Sequence, residues 1–289
     1  MTTHEPRDHP ELVRLADGRR LGWYEYGDPR GAPCVFLPGS GVSGLAGAAL
    51  HAPAASRGVR LISLDRPGLG HSAPAPRRRL VEWSQDVEEL TDHLRLRPVG
   101  LLGHSAGGAY ALAVARLLPG RVTCTVVGAG RPPYAEVWTR ASGVTSRMTR
   151  LYHEMAVRAP RLFGALYRLS APRSAKAVDR LMRLASRGSS PDPQFARAHP
   201  TATRAALVAL GDGCRQGPSG PTEDIAAVCR PWGFDLREVS TPVEWWHGEH
   251  DTNVSPRAGR ESTEPLRESW RRTTAATPRW RKSSAISRK

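Results

Sequence analysis

Residues 98–110 read PVGLLGHSAGGAY, and this stretch decides the fold. Val99, Leu101 and Leu102 form a short apolar run, the composition of a strand covered on both faces. Gly103-His104-Ser105-Ala106-Gly107 then fits G-x-S-x-G, which predicts a sharp strand-to-helix turn with Ser105 at its apex. A chain that reverses so abruptly holds its apex residue in a strained conformation, and flanking glycines let the backbones pass closely. Ala111, Leu112, Val114, Ala115 and Leu118 continue as a helix, and Pro119-Gly120 stops it.

Toward the N-terminus, residues 11–28 predict a hairpin, with apolar Leu12, Leu15, Leu21 and Trp23 and a tight turn at Asp17-Gly18. Cys34 to Leu37 reads as a buried strand. It runs into Pro38-Gly39-Ser40-Gly41, a loop rich in exposable backbone N–H groups. Leu61 to Leu64 is the next strand, and Asp65 to Ser72 the tight loop after it. Trp83, Val87, Leu90 and Leu94 mark one face of a helix. Beyond the elbow, Val122 to Val127 is read as a further buried strand. This alternation predicts an α/β chain with a mainly parallel sheet flanked by helices. In such sheets reactive groups collect at the carboxyl ends of the strands, where Ser105, the Ser40 loop and the Asp65 loop all fall.

Residues 131–226 change character. They are rich in arginine and helical in period, with apolar groups Val144/Met148/Leu151/Met155, Leu162/Leu166/Leu169 and Val178/Leu181/Met182/Ala185. The expectation is a helical cap inserted between two strands, these stripes being its packing faces. Val243 to Trp246 then returns to the sheet, with Asp251 in the loop behind it. The expected divisions are therefore 11–130 and 227–254 for the core, 131–226 for the cap and 255–289 for a basic tail.

Composition narrows the class. A chain of 289 residues holds one large α/β domain with an insertion. It has no run of 18 apolar residues, and its first residues, MTTHEPRDHPE, lack the apolar core of a signal peptide. A cytoplasmic protein with no membrane partner is expected. Cys34, Cys124, Cys214 and Cys229 form no C-x-x-C pair, so reduced thiols and no metal site are expected. No phosphate-loop motif is present, and no cofactor is expected. The formal net charge is +15, of which residues 255–289 carry +7 from ten Lys or Arg and three Glu. The remainder is spread as isolated arginines with no aromatic-interleaved basic motif, which argues against nucleic acid as a partner.

Four stretches together resemble the α/β-hydrolase superfamily, the capped bacterial esterase and proline-iminopeptidase-like kind. They are FLPGSG at 36–41, LDRPGLGHS at 64–72, GHSAGG at 103–108, and RPWGFDL followed by WHGEHD within 230–251. The resemblance implies a serine hydrolase acting on an ester or amide of a small molecule. Ser105 matches the nucleophile and Asp251 the triad acid. The backbone N–H groups of Ala106 and Ser40 match the oxyanion donors. It implies no cofactor and no metal.

The chain departs from the family pattern in one important way. The family's general base is a histidine in a loop after one further strand, and this sequence has no histidine after His250. His71, in a loop at the reactive edge, is the candidate substitute base. The alternative is a catalytically impaired hydrolase fold that only binds a small apolar ligand. Residues 255–289 contain no strand-like apolar run, so a tail unable to fold by itself is expected. A reading frame shifted soon after Val254 in a GC-rich gene would give such a composition.

Overall fold

The computed structural model describes residues 9–133, 147–188, 191–251, 253–263, 266 and 270–273. Eight strands form one sheet: β1 Glu11–Arg14, β2 Arg20–Gly27, β3 Ala32–Leu37, β4 Val59–Leu64, β5 Val99–His104, β6 Val122–Gly128, β7 Val243–Gly248 and β8 Trp270–Thr273. Their spatial order is β1-β2-β4-β3-β5-β6-β7-β8. The first two strands pair antiparallel, as does β2 with β4; every other pairing is parallel.

The helices are α1 His51–Ala55, α2 Trp83–His93, α3 Ala106–Leu117, α4 Arg147–Arg158, α5 Pro160–Ser170, α6 Ala175–Ala185, α7 Pro191–Ala198, α8 Pro200–Gly213, α9 Ser219–Cys229 and α10 Pro256–Thr263. Helices α4 to α9 all lie between β6 and β7 in the chain.

Alternation along each strand splits the core into two faces. Leu21, Trp23, Ile62, Leu64, Val35 and Leu37 join the cluster under α2 and α3. Tyr24, Tyr26, Leu61 and Phe36 turn to the opposite cluster, beneath α1 and the 3-10 turn Gly44–Leu50. The sheet is thus buried on both sides, which is why its central strands read as continuous apolar runs. In β6 the run is partial: Thr123 and Cys124 are exposed.

Two expectations are corrected. The Leu162/Leu166/Leu169 stripe of α5 is solvent-exposed, Leu169 at 79%. The buried face is Phe163, Gly164 and Tyr167. Both stripes share the helical period, so periodicity cannot choose between them. Phe163 stacks edge-on against Tyr152 of α4, and Gly164 comes close to Thr222 and Pro218 at α9, so the aromatic face wins.

The second correction concerns residues 255–289, expected as a tail without a strand. The structure has α10 there, Leu266 buried, and β8 in parallel register with β7 from Trp245↔Trp270 to Gly248↔Thr273. An edge strand draws its ladder hydrogen bonds from its neighbour's backbone, and these do not depend on an apolar side-chain run.

Candidate active site

Ser105 joins β5 to α3 with φ 52° and ψ −120°, a sparsely populated conformation for a residue with a side chain. Its neighbours hold it there. Ser105 N donates to Gly128 O at 2.8 Å, while Ser105 O accepts from Gly108 N at 3.0 Å and Arg131 N at 3.3 Å. The flanking glycines permit the crossing. A Cβ on Gly107 would lie 1.9 Å from Leu37 O, and one on Gly103 would lie 2.6 Å from Gly107 O. Ala106 opens α3, so its N–H is among those a helix leaves without an intrahelical partner.

The loop after β3 sits beside this elbow. A Cβ built on Gly39 would lie 3.7 Å from Ser105 Cβ and 3.4 Å from His104 Nδ1. The loop is fixed from behind by Arg66, which is 1% exposed. Its Nη1 donates to Pro38 O at 2.7 Å and its Nη2 to Gly39 O at 2.6 Å. The same guanidinium grips Asp224 of α9, Nε to Oδ1 at 2.6 Å and Nη2 to Oδ2 at 2.9 Å. Asp224 Oδ2 also accepts from Gly41 N at 2.7 Å, and Oδ1 from Tyr110 Oη at 3.0 Å. Tyr167 of α5 donates to Gly41 O at 3.2 Å. Burial opposes the Arg66 charge, but the Asp224 carboxylate outweighs it and holds the arginine above its ordinary pKa. Both carbonyls are thus turned to Arg66.

Asp251 follows β7. Its Oδ1 accepts from Asn253 N at 2.8 Å and Val254 N at 2.9 Å, and Oδ2 lies 3.2 Å from His247 Nε2. Burial would raise its pKa, but the bonds from His247, Val254 and Asn253 prevail and lower it, so it is ionised at neutral pH. His247 is fully buried. Its Nε2 lies 2.8 Å from Val254 O, and its Nδ1 accepts from Trp245 Nε1 at 3.3 Å. These partners define a tautomer with the proton on Nε2. His247 therefore props the acid loop from beneath.

His71 is not brought to this pair. It follows β4, which lies two strands from β5 on the side opposite β7. Four strand spacings, about 19 Å, separate β4 from β7. The charges His71 feels are Arg215, Asp212 and His9. Its backbone N–H donates to Asp65 Oδ2 at 2.8 Å, so the loop serves Asp65.

His104, the last residue of β5, also stands at this elbow. It is exposed, stands beside the Gly39 loop, and feels the charges of both Asp251 and Arg131. The ring borders solvent while protein crowds its other sides. That desolvation, assisted by Arg131, outweighs the pull of Asp251 and lowers its pKa. His250 is exposed on the loop surface.

Sequence reasoning did not find Arg66, Asp224, Tyr110, Tyr167 or Arg131. Arg66 and Asp224 are 158 positions apart, and no local pattern couples residues at that distance. Among the described residues, no group of three or more His, Cys, Asp or Glu side chains is arranged to hold a metal ion. No described helix is long and apolar enough to cross a membrane.

The elbow, the turn beside it and the carboxylate at the end of β7 are the frame of an α/β hydrolase. Residues 34–281 match the Alpha/beta hydrolase family, and the chain belongs to it. It is similar to the dihydrolipoyllysine-residue acetyltransferase component of the acetoin cleaving system of Pseudomonas putida, 44% identical over 106 residues. That match covers 36% of this chain and 28% of the relative. The chain spans less than half the length of the curated relatives it matches. Among solved structures it resembles a hydrolase from Pseudomonas aeruginosa PA01, with TM-score 0.63 and 21% identity over 93% of this chain and 91% of that one. It likewise resembles the esterase RhEst1 from Rhodococcus sp. ECU1013, with TM-score 0.63 and 22% identity over 91% of this chain and 89% of that one.

Proposed function

We propose that the protein is a serine hydrolase that cleaves an ester, or an amide, of a small molecule through an acyl-enzyme on Ser105. The observation that carries this reading is the backbone of Ser105 itself. A serine held at φ 52° and ψ −120° between a buried strand and helix is a strained arrangement, retained where a hydroxyl must be presented.

In this scheme Ser105 Oγ attacks the substrate carbonyl carbon and loses its proton to a base. The N–H groups of Ala106 and Ser40 hold the oxyanion. The C–O or C–N bond then breaks, and the leaving group takes up the proton. Water attacks the acyl group by the reverse sequence and releases the acid. An ester is the better substrate, because an alkoxide needs less protonation to depart than an amide nitrogen.

The base is assigned to His104 instead of His71. His104 adjoins Ser105, reaches solvent and feels the Asp251 carboxylate, and its lowered pKa keeps it neutral at pH 7. One observation bears on a second reading, an impaired hydrolase fold. Both Asp251 oxygens are engaged within their own loop and by His247.

Fluorophosphonate labelling of the purified chain separates the two readings. Rapid labelling that is lost in Ser105→Ala supports the hydrolase. No labelling by a chain with a cooperative thermal transition supports the second reading.

A further inference from the structure

A cavity of about 580 Å³ lies among α5, α6 and α8 and shares no lining residue with the elbow, the Gly39 turn or the Asp251 loop. That volume suits a small organic ligand. Its lining is unusual in charge. Arg168 at the end of α5, Arg173 in the loop before α6, and Arg204 and Arg215 at α8 all border it.

Two of the four arginines are neutralised locally. Arg204 Nη1 lies 2.6 Å from Asp179 Oδ1, and Arg215 Nε lies 2.7 Å from Asp212 Oδ1. Arg168 and Arg173 have no acidic partner among the described residues. Both nevertheless act on one point. Burial pushes the Cys214 thiol in the cavity wall up, and the charges that pull it back are Arg173 and Arg168. Both arginines border the cavity that Cys214 also lines. The N-terminus of α6 opens beside them, capped by Ser174 Oγ and without an acidic residue in its first turn. The lining also includes the apolar Pro172, Val178 and Val208, beside the Asp212 carboxylate that Arg215 neutralises. Val208 is 40% exposed, a valine left uncovered inside a concavity.

We infer that this cavity binds a small amphiphilic anion, with a carboxylate or phosphate-monoester head between Arg168 and Arg173 and a short apolar body against Val178 and Val208. Two guanidiniums without an acidic partner among the described residues and a helix N-terminus suit an oxyanion head, and the apolar wall adds a term that inorganic anions cannot use.

Calorimetric titration of the full chain with octanoate and octyl phosphate tests this, with octanol and inorganic phosphate as the headless and bodiless probes. Saturable binding of one amphiphile is expected, roughly tenfold or more tighter than either control probe. Whichever of octanoate and octyl phosphate binds more tightly identifies the head. Arg168→Gln/Arg173→Gln should weaken that binding by roughly tenfold or more. Arg180→Gln/Arg183→Gln removes the same charge elsewhere on α6 and should leave it unchanged, as should Ser105→Ala. No saturable binding, or equal loss in both double variants, overturns the proposal. Inorganic phosphate binding as tightly as octyl phosphate also overturns it. Because Ser105→Ala is a separate arm, failure here is distinguishable from failure of the hydrolase reading.

Discussion

Arg66 and Asp224 face each other as a two-pronged, fully buried ion pair, with Nε–Oδ1 at 2.6 Å and Nη2–Oδ2 at 2.9 Å, each side chain 1% exposed. The pair joins the turn beside Ser105 to the helices between β6 and β7. Neither partner can be removed without leaving the other charged in a dry interior. Arg66→Met should therefore destabilise the fold by about 3–5 kcal/mol in urea unfolding. Adding Asp224→Leu should restore part of that loss. It cannot restore all, because Pro38 O, Gly39 O and Gly41 N would still lack their partners. Equal stability of Arg66→Met and the parent chain would refute this account.

The elbow leaves no room for a methyl group. Gly107→Ala would place Cβ 1.9 Å from Leu37 O, a backbone atom that cannot step aside without moving β3. Loss of soluble, cooperatively folding protein is expected on expression. Gly120→Ala, where a Cβ meets nothing within 4 Å, should behave like the parent in the same melting experiment.

Asp65 should give the protein a stability term that falls with rising pH. Burial raises its pKa to about 7, against the bonds from His71 N and Gly44 N that lower it. The folded pKa thus exceeds the unfolded one. The contribution is fully present below about pH 4 and is lost as pH rises through about 7, an effect of a few kcal/mol. Other carboxylates with lowered pKa, such as Asp92 and Asp251, slope the opposite way. The comparison is therefore between urea midpoints of the parent and Asp65→Asn across pH 4–8. The asparagine variant should lack the downward component; parallel curves would contradict the assignment.

If Ser105 is activated, the two histidine variants should separate. His104→Gln should slow fluorophosphonate labelling by about 10²-fold or more, the usual scale for general-base help. His71→Gln should change it little, since His71 belongs to the Asp65 side of the sheet. The reverse order would return the role to His71.

The two faces of α5 predict opposite mutational costs. Phe163 is 2% exposed, and Phe163→Ala should cost about 3–5 kcal/mol, read as a lower melting temperature. Leu169, at 79% exposed, should tolerate Leu169→Ser within about 0.5 kcal/mol.

The sequence by itself determined the elements whose signals are local. A five-residue turn motif between an apolar strand and an apolar helix defined β5, Ser105 and α3. An Asp-Gly turn between apolar runs defined the β1–β2 hairpin. The order of strands and helices gave the parallel sheet, because steric and periodic rules act over a few residues and leave their mark there. Tertiary structure decided what depends on distant partners. It chose Phe163 and Tyr167 over three leucines of the same period, because the aromatic rings and Gly164 met the neighbouring helices. It joined Arg66 to Asp224 across 158 positions, a pairing set by the burial of both charges. It placed His71 and Asp251 on opposite sides of Ser105 through strand order. It also made a strand of Trp270–Thr273, where the ladder from β7 supplies the backbone partners that composition gave no sign of.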